Sequence, residues 1–199
     1  MIRAFVAVPV EDAVVTRRLG GARSLLPPLH GVRWIPEGQL HFTLKFLGEI
    51  GPDRVEAARA ATAAAARAAA ESPKAPGPFR LALEGLGSFP PHGPARILWA
   101  GCGEGAEELT GLALAVEEAF VAAGFPRETR PFSPHLTLAR VKDPAAGRRL
   151  AQLLPSVPSE PFGVVRVAGL VLFRSELTRG GPEYARLFGA AIESAAAPQ

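Results

Sequence analysis

Apolar positions along the chain switch between two rhythms, and each switch marks an element. Residues 2–9 (IRAFVAVP) form a short apolar run that predicts a first strand, followed by an amphipathic helix from about Glu11 to Leu26 that Pro27 and Pro28 end. A short edge strand is expected at 31–35 and a longer one at 40–50 (LHFTLKFLGEI). Strict alternation in the latter puts Leu40, Phe42, Leu44 and Phe46 on one face and His41, Thr43 and Lys45 on the other. Residues 51–72 predict a helix, with Pro52 and Asp53 suited to its start and alanine to its body.

The proline- and glycine-rich stretch 73–78 breaks the chain. Two strands are expected at 79–89 and 96–102, then a helix over Ala106–Ala123 closed by Gly124. A second histidine-bearing strand at 134–141 precedes a helix at 144–154, and strands at 162–177 and 183–192 finish the pattern, joined by 178–182. There is no regular βαβ rhythm and no glycine-rich phosphate loop, so the fold class is α+β with largely antiparallel sheets.

Composition narrows the function. With 199 residues, 48% of them hydrophobic, the chain can bury one large core or two small ones. No apolar run approaches the ~20 residues that span a bilayer. The opening MIRAFVAVPVED lacks a small-residue cleavage pattern and reads as a strand rather than a leader, so a soluble, cytoplasmic protein is expected. A single cysteine, Cys102, excludes an internal disulfide and a cysteine-based zinc cluster, and it reads as a small packed residue rather than a nucleophile. The net charge of +3 is carried mostly by arginine. That suits planar, two-pronged contacts to a phosphate but falls short of a basic nucleic-acid tail.

The chemistry lies in a repeat. His41-Phe42-Thr43-Leu44 returns as His135-Leu136-Thr137-Leu138, 94 residues further on, so the chain reads as two related lobes. The other histidines, His30 and His92, sit in loop sequences without this pattern. On a strand, His and Thr at i and i+2 project side by side, about 6.5–7 Å apart. Two such strands facing one another would aim two imidazoles and two hydroxyls at one point. Imidazole, with an ordinary pKa near ~6.5, can accept or donate a proton at neutral pH. A neutral and a protonated imidazole on opposite sides of a phosphorus atom would activate water and protonate a departing alkoxide, while threonine hydroxyls hold the nonbridging oxygens. That points to a phosphodiester with a sugar hydroxyl as leaving group, and neither a metal nor a cofactor is called for. A zinc site built on His41 and His135 is the weaker idea, because neither motif supplies a third ligand.

These motifs resemble the 2H phosphoesterase superfamily, specifically the RNA 2′,3′-cyclic phosphodiesterases of the LigT or 2′-5′ RNA ligase family. The likeness runs through RAFVAV, VRWIPEGQLHFTLKFLGEI, RPFSPHLTLARV and LFRSELTRGGPEYARL, in order and over almost the whole chain. The resemblance implies a bilobal α+β fold, two pseudo-twofold-related halves of mainly antiparallel sheet with outer helices and a central cleft. It implies one domain over 1–199, two intertwined lobes with no separable linker. It implies hydrolysis of a terminal 2′,3′-cyclic phosphate to a 2′-phosphomonoester, with reversible 2′-5′ RNA ligation in some members. By the same resemblance His41 is the general acid, His135 the general base, and Thr43, Thr137 and Arg140 bind the phosphate.

Arg140 has the wrong parity for the face of His135 and Thr137 on an ideal strand, so it reaches a cleft only if the strand twists, bulges or ends there. Phe5, Phe46 and Phe132 lie near the motifs and one could stack on a base, although core packing is the expectation for each. The expected partners are RNA ends or small cyclic-phosphate nucleotides, met by a monomer with no membrane and no obligate protein partner. Two other readings keep the same residues. One is a phosphodiesterase for small substrates such as a cyclic mononucleotide or ADP-ribose cyclic phosphate; the other is a non-catalytic module that binds RNA ends.

Overall fold

A computed structural model describes residues 1–72, 77–159, 161–178 and 181–193. Residues 73–76 and 179–180, within the expected chain break and the expected last turn, lie outside the described residues. Nine strands are described: β1 (Ile2–Pro9), β2 (Val32–Trp34), β3 (His41–Ile50), β4 (Phe79–Phe89), β5 (Ile97–Cys102), β6 (Leu136–Val141), β7 (Pro161–Val167), β8 (Gly169–Thr178) and β9 (Gly181–Ala191). Four α-helices accompany them: α1 (Ala13–Gly21), α2 (Pro52–Glu71), α3 (Ala106–Ala122) and α4 (Pro144–Leu153).

The strands form two antiparallel sheets, ordered β3-β1-β8-β9 and β2-β6-β5-β4-β7. With β2 set aside, the second order repeats the first: a histidine-motif strand at one end, paired to a strand that begins its repeat, then two more. The units β1-α1-β3-α2 and β5-α3-β6-α4 have the same succession, and β2 is added on the outer edge of β6. Strands β3 and β6 come together where the sheets meet, and Ile35 donates its backbone N–H to Leu138 at 2.8 Å.

The helices stay on the outer faces for local reasons. In α2 the buried positions are Ala58, Ala61, Thr62, Ala65, Ala66 and Ala69, one stripe of small side chains that lets α3 pack close. Helix α1 starts where Asp12 caps the amides of Val14 and Val15 at 2.9 and 3.0 Å. It stops at Gly21 and tightens into a 3₁₀ turn over Ala22–Leu25, short of the expected end at Leu26, because Gly20 and Gly21 hold a helix poorly.

The largest departure from the sequence reading is at 162–177, expected as one strand. It is two strands in different sheets. The chain leaves the second sheet at Val167 and enters the first at Gly169, and Ala168 between them accepts the amide of Ile192 at 2.9 Å. Apolar residues serve both sheets here, so the hydrophobic run continues through the crossing without a break. No described helix is long and apolar enough to cross a membrane.

Candidate active site

Both motif strands carry a bulge at the same place. In β3, Thr43 faces Ala7 and Lys45 faces Val6, leaving Leu44 as the extra residue; in β6, Thr137 faces Trp99 and Ala139 faces Leu98, leaving Leu138 extra. A bulge reverses the parity of everything beyond it. Leu44 and Lys45 are therefore both buried, as are Leu138 and Ala139, and the next residue returns to the face of the histidine and threonine.

That residue is Phe46 in one strand and Arg140 in the other. The bulge is what turns Arg140 to the cleft, where its charge acts on both His41 and His135. It also corrects two expectations from strict alternation. Phe46 is 63% exposed rather than packed in the core, and Lys45 is not beside His41. Lys45 instead points inward, with Nζ 2.6 Å from Glu117 Oε2 and donating to the Pro126 carbonyl at 2.9 Å.

The imidazoles are held alike. His41 Nδ1 lies 2.7 Å from the carbonyl of Gln39, and His135 Nδ1 lies 2.7 Å from the carbonyl of Ser133. A carbonyl oxygen only accepts, so Nδ1 carries hydrogen in both rings and donates it. Each Nε2 is then left for chemistry: bare when the ring is neutral, a donor when it is charged. His41 opens β3, whereas His135 stands just before β6, which starts at Leu136 rather than at the expected residue 134.

Aromatic rings fix both imidazoles from below. His41 lies 4.9 Å from Phe5 and edge-on to Tyr184 at 5.1 Å; His135 is edge-on to Phe89 at 4.9 Å. Phe5, Ala7, Val171 and Phe173 make a small buried cluster under His41, separate from the main core and covered by Tyr184. Burial is the main cause that pushes both imidazole pKa values below 6.5; the backbone carbonyl at Nδ1 opposes it, and the Arg140 charge lowers them further. Thr43 and Thr137 are half-buried, and neither hydroxyl has a hydrogen-bond partner among the described residues.

The remaining candidates fall elsewhere. Phe5 is buried beneath His41, and Phe132 packs against the main core. Cys102 ends β5, and burial pushes its thiol up to about 12, far from a reactive thiolate. Among the described residues no group of three or more His, Cys, Asp or Glu is placed to hold a metal ion. Tyr184, the chain's one tyrosine, carries no motif that marks it in the sequence. It comes from β9, far along the chain, and only sheet pairing brings it to His41.

The chain belongs to the 2′-5′ RNA ligase superfamily, the 2H phosphoesterases: residues 10–179 match the family's model. It is 37% identical over 188 residues to an RNA 2′,3′-cyclic phosphodiesterase of Thermus thermophilus, covering 92% of this chain and 86% of the relative. It is 32% identical over 183 residues to one of Methanothermobacter thermautotrophicus, covering 92% and 95%. A crystal structure of a protein from Thermus thermophilus superposes with a TM-score of 0.78 at 33% identity, over 97% of this chain and 99% of the other.

Proposed function

We propose that this hydrolase opens terminal RNA 2′,3′-cyclic phosphates to 2′-phosphomonoesters, using His41 as general acid and His135 as general base. The observation that carries the reading is the matched pair of imidazoles, each with Nδ1 committed to a carbonyl and Nε2 without a partner among the described residues. Neutral His135 takes a proton from water as its oxygen attacks phosphorus. Protonated His41 gives its Nε2 proton to the 3′-oxygen as the P–O3′ bond breaks. The hydroxyls of Thr43 and Thr137 and the guanidinium of Arg140 hold the nonbridging oxygens, and no metal takes part. With an RNA 5′-hydroxyl in place of water, the same transfers form a 2′-5′ linkage, and run backwards they cleave it. The reading carries with it a monomer working in the cytoplasm, without a cofactor. Phe46, exposed on the same face, offers a surface on which a base stacks.

The direct test is to incubate the protein with RNA ending in a 2′,3′-cyclic phosphate, with and without EDTA, and identify the product end. A 2′-phosphate formed at equal rates is expected. A 3′-phosphate, or a rate lost on chelation and restored by a divalent ion, overturns the mechanism; saturable binding with no product leaves an RNA-end-binding module.

The threonines supply a second prediction. Thr43→Ala and Thr137→Ala should each reduce kcat/KM by an amount equivalent to about 1–3 kcal/mol, the worth of a hydrogen bond to a charged group. Thr→Ser should cost much less, since the hydroxyl survives. Equal losses in the Ala and Ser variants would assign the role to the methyl group.

A further inference from the structure

The three-residue strand β2 sends Val32 and Trp34 to a cavity on the back of the sheet, where they meet Leu26 and Leu150. Arg33, between them, takes the other face. It stands directly across from Arg140 in the β2–β6 register, so two guanidiniums leave neighbouring strands on the same side. Like charges placed opposite one another oppose folding, and neither arginine forms an ion pair among the described residues. Such a pair is suited to receive an anion from outside.

Arg33 also reaches the other sheet. Its guanidinium lies against Gly181 at the start of β9, and a Cβ at Gly181 would overlap it. Tyr184, three residues on, feels the charges of both Arg33 and Arg140, and its hydroxyl has no partner among the described residues. The two arginines are not equivalent. Arg140 stands on the motif strand β6, three residues beyond Thr137, whereas Arg33 stands on the edge strand β2, outside it. The phosphate that reacts between the histidines therefore falls to Arg140, and Arg33 is left for a second anion further out.

We infer that Arg33 and Tyr184 form a subsite for the internucleotide phosphate immediately 5′ of the terminal nucleotide, so that the substrate is an RNA chain end rather than a free cyclic nucleotide. This rests on the proposed cyclic-phosphate reading. Two phosphates one nucleotide apart are what an RNA end brings to two adjacent cationic positions; a nucleoside 2′,3′-cyclic phosphate brings one.

The test compares kcat/KM of the wild type and Arg33→Gln on four substrates. These are a dinucleotide ending in a 2′,3′-cyclic phosphate, the same dinucleotide with an uncharged methylphosphonate linkage, a nucleoside 2′,3′-cyclic phosphate, and the same cyclic nucleotide bearing a 5′-pyrophosphate. In the wild type the charged dinucleotide should be favoured over the methylphosphonate about tenfold, the scale of one charge-assisted contact. In Arg33→Gln that ratio should fall towards one, and the ratio of dinucleotide to mononucleotide should fall with it. A wild-type ratio near one overturns the subsite without reference to any variant, and a ratio that Arg33→Gln leaves unchanged removes Arg33 from it. A cyclic nucleotide bearing a 5′-pyrophosphate preferred over the dinucleotide, with the preference lost in Arg33→Gln, overturns RNA as the occupant. No turnover of any substrate by the wild type overturns the cyclic-phosphate reading itself.

Discussion

His41→Ala and His135→Ala should each lower turnover on the order of 10²–10⁴-fold, the range of a lost general acid or base, with the far-UV circular dichroism unchanged. Both residues are half-buried rather than enclosed, so their removal leaves no closed cavity. The two variants should separate when the leaving group changes. A substrate whose 3′-oxygen is replaced by sulfur expels a thiolate, which needs little protonation as it departs. It should largely rescue His41→Ala and leave His135→Ala impaired. Rescue of the His135 variant alone would exchange the two roles, and rescue of neither would argue against separate acid and base functions.

The same pair sets the pH profile. The reactive form needs one ring protonated and the other neutral, which makes kcat/KM bell-shaped. Burial lowers both pKa values in the free protein, so the bell should centre on the acid side of 6.5. In the complex an anionic phosphate lies between the rings and favours their charged forms. The kcat profile should therefore sit at higher pH than that of kcat/KM.

The alternation of apolar residues places every strand but the β7–β8 pair, which it reads as one, and the His-x-Thr repeat nominates four side chains. What alternation could not reveal is a one-residue bulge, because Leu44-Lys45 and Leu138-Ala139 look like ordinary strand sequence. That single extra residue decides the face of Phe46, Lys45 and Arg140. Arg33 was hidden for a different reason. A lone arginine on a three-residue edge strand carries no pattern, and its meaning comes from register with Arg140 and contact with Gly181. The crossing at Ala168 was hidden because a hydrophobic run records burial but not which sheet does the burying.

Lys45 lies buried directly beyond the bulge, and its loss should be a large destabilisation. Its side chain is 4% exposed and that of its partner Glu117 14%, while the other Glu117 oxygen accepts the amide of Glu128 at 2.8 Å. Lysine thus ties the motif strand to α3 and to the segment that begins at Pro126. Lys45→Met keeps much of the apolar stem but leaves a carboxylate in a nearly closed site without its counter-ion. Removing one partner of a buried pair costs about 3–5 kcal/mol, and the slight exposure of Glu117 favours the lower end. At roughly 2–4 °C per kcal/mol for a chain of this size, the midpoint should fall by roughly 6–12 °C. The double variant Lys45→Met with Glu117→Gln should recover much of that loss, since no unpaired charge remains. If the double variant is no more stable than Lys45→Met alone, the lysine acts through packing and its donation to Pro126. In that case the ion pair is not what fastens β3 to α3.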